Sequence, residues 1–496
     1  MFRLSERWML DVRHTENQRT NMDRKAWILA GACGLVLVYC TARAACLSMT
    51  HDESTTVLMF ASRPWGQILA NEPPSANNHL LNTLLVKLFM LGGLNKVWIR
   101  LPNLLGALVY LFFAFRFIQG KGGSLANQVL GFALLVFNPY LLEFFSLARG
   151  YGLSLGFLIG SLYFIHRYTL EEQPGTLAWS ALLAVLGCYS NLTLLNYFVG
   201  LWGAANLFLL FRKGGFQWGQ WVVANGLLLF FALLLFALLY APVRANQEAG
   251  AFYFGGETGF FSDTFTSLVS HFIAERRYLG KHTVPILAWA GGLLMGLAVG
   301  HQLLNWAQRR HFESGAFYSV LLILMALSTV VQHQWLGTPY LTGRTALLFY
   351  PVSALLLWEF FRRRPDWIQW VLAALLAGNM AMAANLSQSQ DWWYDRYTES
   401  VTRYVASRRQ GDEHIRFGAN WLFVPTISFY RKAWGIDFFI GPNMDREVPT
   451  GKYFDYYYLH QDDAGKLHPD YELEQKFGAY SLMKLPPEKK EPPEEE

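Results

Sequence analysis

About eleven stretches of this sequence are apolar over the length that a membrane-crossing helix needs, and that repetition limits the possible folds more than any other feature. They fall at residues 27–48, 98–118, 125–145, 151–167, 176–193, 194–211, 218–241, 284–304, 316–336, 344–361 and 367–385. A run of about 17–25 apolar residues can cross the hydrocarbon core as a helix, because only a helix meets its own backbone hydrogen bonds there without water. An odd number of crossings places the two termini on opposite faces. The first run lacks the small-residue cleavage site of a secretory signal and reads as a retained anchor.

Composition agrees. Of 496 residues 53% are hydrophobic and 16% charged, against about 25% charged in an average soluble protein. Eighteen Trp, 24 Tyr and 38 Phe suit a chain with much surface at a membrane–water boundary. A disordered chain, a disulfide scaffold and a coiled coil are excluded. The four cysteines (Cys33, Cys40, Cys46, Cys188) lie in apolar runs. They read as small buried hydrophobes rather than as a metal cluster or disulfide framework. The expected fold class is an all-α polytopic membrane protein carrying a small C-terminal α/β extracytoplasmic domain.

The net charge of +5 matters less than its placement. Arg3, Arg7, Arg13, Arg19, Arg24 and Lys25 precede the first span, so residues 1–26 read as a cytoplasmic basic N-terminus. The loops that then face inward hold Arg116 with Lys121, Arg167, Arg212 with Lys213, Arg309 with Arg310, and Arg362 to Arg364. Residues 80–93 are apolar but short and interrupted by Lys87, and counting them as a span would put these clusters outside. They are expected to lie in the interface. The transmembrane domain is therefore residues 27–385, with a large first outer loop at 49–97 and a second outer piece at 242–284. Residues 386–485 read as the soluble domain, with a helix over 391–408 and strands near 420–430, 453–459 and 480–485. The charged, proline-rich tail 486–496 reads as disordered. The expected location is a bacterial-type inner membrane, with the C-terminal domain extracytoplasmic.

Ionisable residues at membrane depth or at a helix mouth are costly and need a reason. Under this topology His51, Asp52 and Glu53 follow the first span directly. Asn77, Asn78 and His79 open the interfacial helix, Arg149 and Tyr151 stand at the outer end of the third span, and Tyr340 and Arg344 open the tenth. Four polar sites distant in sequence but on one face suggest a pocket. Each also has a plainer reading. Asp52 and Glu53 could cap a helix N-terminus, Arg149 and Arg344 could anchor at lipid phosphates, and His79 could be a satisfied polar residue. Glu143, inside the third span, faces a polar cavity or pairs with an arginine. Arg43 snorkels or meets an anionic group.

These residues carry a resemblance. An N-inside first helix followed by Asp-Glu at the start of a large outer loop resembles the GT-C glycosyltransferases, of the dolichyl-phosphate-mannose protein mannosyltransferase and aminoarabinose transferase type. NNHLLNTLL (Asn77 to Leu85) stands where that family often has a Lys-Pro-Pro-Leu or His-Pro-Pro-Leu element. IRLPNLLGALVYL (Ile99 to Leu111) and NPYLLEFFSLARGYGLSL (Asn138 to Leu155) resemble its second and third spans, and PYLTGRTALLFYP (Pro339 to Pro351) its late arginine motif. The order and common sidedness of these motifs carry the likeness, which extends over most of the first 385 residues. His79-Leu80-Leu81 departs from the pattern where the proline pair stands.

The resemblance implies an inverting transfer of a sugar from a polyprenyl-phosphate carrier to an acceptor at the outer face. Asp52 is then the base, with Glu53 as second candidate or orienting neighbour. Arg344, Arg149 and His79 contact the carrier phosphate. His51, Asn78, Tyr151, Tyr340, Glu143 and Arg43 form a secondary ring. Arg149 stands where metal-dependent relatives use carboxylates, so no metal and no other cofactor is expected. The expected partners are the bilayer and the lipid-linked donor; nucleic acid is not expected, and sugar and acceptor stay open. The alternative reading is a multi-span transporter or flippase of lipid-linked intermediates, and an assembly protein without catalysis is a third.

Overall fold

The structure is a computed structural model that describes residues 2–274, 280, 282–309, 312–441 and 447–489, with side chains from residue 24 onward. Arg310, the side chains of Arg3, Arg7, Arg13 and Arg19 and most of the 486–496 tail lie outside the described residues. Helices stand at all eleven expected places. Six of the described helices are long and apolar enough to cross a membrane: Arg24–Cys46, Lys96–Lys121, Leu192–Phe211, Trp218–Glu248, Thr283–Arg309 and Ser314–Leu336. Leu125–Val136, Pro174–Ser190 and Phe349–Phe361 are apolar but shorter.

Two departures have local causes. The expected third span breaks at Asn138-Pro139 into Leu125–Val136 and Pro139–Phe144. Proline has no N–H to continue a helix but fits its first turn, and the Asn138 side chain accepts from the amides of Tyr140 (3.0 Å) and Leu141 (3.1 Å), starting a new helix. The tenth begins as a 3₁₀ turn, Gly343–Ala346, before Phe349–Phe361. Of the cysteines, Cys40 and Cys188 are buried and Cys33 half-buried, but Cys46 is exposed.

The chain divides into two compact units. One, the helical unit, is Met1–Thr41, Asn103–Ser146 and Gly150–Ala384; the other, the mixed unit, is Ala42–Pro102, Leu147–Arg149 and Asn385–Glu496. The stretch expected as the first outer loop therefore groups with the C-terminal residues.

Small residues bring the backbones of the helical unit together, as suits helices that cannot rely on hydrophobic burial in lipid. A Cβ on Gly106 would lie 2.8 Å from Gly152 O, and one on Gly156 2.6 Å from Gly106 O. Trp358 fills the space over Gly131 and donates its indole N–H to Asn127 O at 3.1 Å. The basic clusters meet at one end of this unit. Lys25 donates to Gly123 O, Lys121 pairs with Glu359, Ser124 donates to Asp366, Arg363 pairs with Glu313, and Arg212 pairs with Glu172. Connections at the other end meet one another as well: Gly256 bridges Tyr340, Ser267 takes the Gly343 amide, and Asn379 donates to Phe272 O. The expected inner loops therefore share one end of the unit.

The mixed unit contains a five-stranded sheet. Its strands are β1 (Ile415–Ala419), β2 (Phe439–Ile440), β3 (Tyr456–His460), β4 (Glu472–Phe477) and β5 (Tyr480–Lys484), in the order β2-β1-β3-β5-β4. β1 runs parallel to β2 and β3; β5 is antiparallel to β3 and β4. A parallel neighbour needs a crossover, and the helix Val424–Ala433 is the β1-to-β2 connection. That helix overturns the strand expected at 420–430. Val, Ile, Phe and Tyr there favour a strand by type, but Val424, Ile427 and Tyr430 recur at three-residue spacing and all are buried. The expected helix at 391–408 is met by the 3₁₀ turn Trp393–Tyr397 and the helix Thr398–Ala406. Phe417, Tyr458 and Leu482 pack with Val401, Val405 and Ile427 into one core. A second core joins Met49, Val57, Val86, Ile99 and Ala148 to Phe429 and Tyr430.

Candidate active site

In the mixed unit the chain leaves its first long helix at Leu47 and turns at once into a five-residue helix, His51–Thr55, followed by a π-helical turn, Thr56–Ala61. Thr50 caps it: its hydroxyl accepts from the Glu53 amide at 3.3 Å while the Glu53 carboxylate accepts from the Thr50 amide at 3.0 Å. This is the reciprocal capping box, and here both side chains are buried.

Glu53 does more than cap. Its Oε1 accepts from Arg100 Nε at 2.8 Å and from the Ala148 amide at 2.6 Å, and its Oε2 accepts from Arg100 Nη2 at 2.7 Å. Arg100 spends its remaining donors on the carbonyls of Ala44, Leu47 and Ser48. Both side chains are fully buried. Burial alone would push the Glu53 carboxyl up, but the Arg100 charge and the hydrogen bonds outweigh it and hold it below the usual carboxylate range. Arg100 and Glu53 together thus tie the end of the first long helix, the Asp52 helix and the 147–149 segment.

Asp52 is the neighbouring carboxylate with exposed surface, its side chain 13% accessible. Its Oδ2 lies 3.4 Å from Arg149 Nη2. Arg149 has no exposed side-chain surface and donates to Thr56 Oγ1 at 3.1 Å, to Asn77 O at 3.3 Å and to the Asn77 side chain. His79 Nε2 stands 3.4 Å from the same guanidinium, and the Trp392 ring lies 6.0 Å from its centre. Asp52, Arg149 and His79, separated by up to 97 residues, are therefore brought into one cluster.

The secondary residues of this unit are engaged structurally. Asn78 donates to Asn71 at 2.8 Å and accepts from Thr83 at 2.7 Å. Arg43 donates to the carbonyls of Asn385 (2.6 Å) and Gln388 (3.2 Å). His51 sets its Nδ1 2.9 Å from Leu422 O, and its amide donates to Asp395 Oδ2 at 2.6 Å.

In the helical unit Glu143 is buried in Pro139–Phe144, and the Tyr151 ring lies 4.9 Å from that of Phe144. Tyr340 stacks on His333 at 4.2 Å and pairs its backbone with Gly256. Arg344 sits in the Gly343–Ala346 turn with its guanidinium 4.5 Å from the Phe254 ring centre. Gly343 adopts φ +52, and a Cβ there would meet His271 and Tyr140 at 3.2 Å, so the arginine motif needs glycine at this position.

Neither Arg100 nor Asp395 stands among the site residues expected from sequence. A signal for the first was available, because Arg100 is a cation just inside an expected span, the kind of residue that needs a partner. Asp395 carries no such local sign. Among the described residues no group of three or more His, Cys, Asp or Glu is placed to hold a metal ion.

No protein-family model matches the chain, and no curated protein matches it. Solved structures do. ArnT from Cupriavidus metallidurans in the apo state superposes with a TM-score of 0.55 at 9% identity, covering 94% of this chain and 99% of that one. The same protein bound to undecaprenyl phosphate gives 0.52 at 12% identity with the same coverage. At this identity the likeness establishes the fold. The resemblance to the aminoarabinose transferase type is met at that level, over nearly the whole chain.

Proposed function

We propose that this chain is a GT-C-type membrane glycosyltransferase that moves a sugar from a polyprenyl-phosphate carrier to an acceptor at the extracytoplasmic face. The observation that carries this reading is the pairing of the partly accessible Asp52 carboxylate with the buried Arg149, whose guanidinium also meets His79. It occurs in a chain whose fold matches a protein solved with undecaprenyl phosphate. The proposed topology has about eleven spans, an inner N-terminus, and residues 386–485 outside.

In this mechanism the acceptor attacks the anomeric carbon as the bond from that carbon to the phosphate oxygen breaks. Asp52 takes the acceptor's proton, and the carrier phosphate leaves with the electron pair, which inverts the anomeric centre. Glu53 is assigned to positioning, since each of its oxygens already accepts two hydrogen bonds. Arg149 has no exposed surface, so its part is to orient Asp52 and to supply positive potential where charge develops on the phosphate. His79 and, in the helical unit, Arg344 are proposed to contact the phosphate.

Arg344→Gln tests the donor side. Undecaprenyl phosphate binding to the purified protein should weaken about 10–100-fold, since a hydrogen bond to a charged group is worth about 1.5–3 kcal/mol. An unchanged Kd removes Arg344 from the donor site. The chemistry also needs no metal: transfer should be unchanged by a chelator, and loss restored by manganese would contradict that.

A further inference from the structure

The helix that presents Asp52 is too short to hold itself in place. Five residues form little more than one turn, and the amides of a helix's first turn have no partner within it. Two of those amides are served locally by the Thr50–Glu53 capping box. The amide of His51, immediately before Asp52, is served from 344 residues away, by Asp395 Oδ2 at 2.6 Å. Asp395 lies in the 3₁₀ turn Trp393–Tyr397, which leads into the helix Thr398–Ala406 of the C-terminal domain. All of these residues belong to the mixed unit.

Its surroundings show what Asp395 can and cannot do. It is 1% exposed, so it meets neither solvent nor substrate. Its second oxygen, Oδ1, accepts from the Thr398 hydroxyl at 3.0 Å. Among the described residues no cation forms a salt bridge with it. Glu53 is a nearby negative charge, and burial pushes the Asp395 carboxyl well above the usual range despite the bonds from His51, Thr398 and Thr426. Such a group acts as a fixed acceptor whose strength lies in its placement. The flanks of the same segment are held by the same domain. Tyr430 Oη accepts from the Met49 amide at 2.8 Å, Leu422 O meets His51 Nδ1 at 2.9 Å, and the Trp421 ring packs edge-on against His51.

We propose that Asp395 is a positioning residue for the transfer reaction: its buried carboxyl holds the His51 amide and so fixes the turn that aims Asp52. The proposal rests on the reading of Asp52 as the base. It gives the C-terminal domain a part in catalysis that does not require it to touch either substrate. A displaced general base loses rate steeply, since about 1 Å of misplacement can cost about 10²-fold.

The test uses the full-length protein with three substitutions and two readouts. Asp395→Ala should lower kcat about 10²-fold with the donor KM unchanged, and amide exchange should quicken in the peptide covering residues 48–56. Asp395→Asn keeps the acceptor oxygen and should retain kcat and exchange protection near those of the parent. Thr398→Val removes the partner of Oδ1 without emptying the site and should lower kcat by a smaller factor, which keeps the test open if the alanine variant fails to fold. Parental kcat in either Asp395→Ala or Thr398→Val overturns the proposal, as does an Asn variant as damaged as the Ala variant. Asp52→Asn, run alongside, separates the two readings. Undiminished turnover there removes the base, while the exchange of residues 48–56 still reports whether Asp395 holds the turn.

Discussion

Asp52→Asn should lower sugar transfer about 10²–10⁴-fold, the usual worth of a positioned general base, while leaving donor affinity close to that of the parent. The separation is expected because the amide keeps the shape of the carboxyl. Arg149 also keeps its bonds to Thr56, to Asn77 and to the Asp52 backbone carbonyl. The loss should therefore fall on kcat rather than on donor KM. A variant that turns over within about threefold of the parent has lost no base, since that is barely 0.7 kcal/mol of barrier.

The second large effect concerns stability rather than chemistry. Arg100→Met or Glu53→Gln should each destabilise the protein by about 3–5 kcal/mol, because each leaves the other partner buried without compensation. The paired replacement Glu53→Met with Arg100→Met should recover part of that loss, since two apolar side chains leave no uncompensated charge. Thermal unfolding of the three variants checks this order, and equal loss in all three would contradict it. The pH dependence follows the same bond. The folded Glu53 carboxyl lies below its unfolded value. Its contribution is therefore present above about pH 4.3 and is lost as pH falls through the depressed folded value. Acid sensitivity from this source should be absent in Arg100→Met.

What could be read from sequence was whatever depends on local periodicity. Apolar runs at the right length foretold helices at all eleven places, and the basic clusters foretold that Lys121, Arg212 and Arg363 would share an end; that each meets an acidic partner there was not legible. Asp52, Arg149 and His79 were legible as costly polar residues beside apolar runs. The partners that give them meaning were not. Glu53 finds Arg100 across 47 residues and His51 finds Asp395 across 344, and neither pairing leaves a periodic trace. The same limit explains the helix Val424–Ala433, where residue type argued for a strand and spacing for a helix. β4, an edge strand of mostly exposed charged and polar residues, offers no apolar alternation to detect.

The most direct test of the central claim is to follow the anomeric centre. The purified protein is supplied with polyprenyl-phosphate sugars and candidate acceptors in vesicles, and the product is read by NMR while free polyprenyl phosphate is measured. Polyprenyl phosphate should be released in step with product, with the sugar linked through the opposite anomer from the donor. Donor that crosses the bilayer intact without release of polyprenyl phosphate, or a product that retains the donor's anomeric configuration, would contradict it.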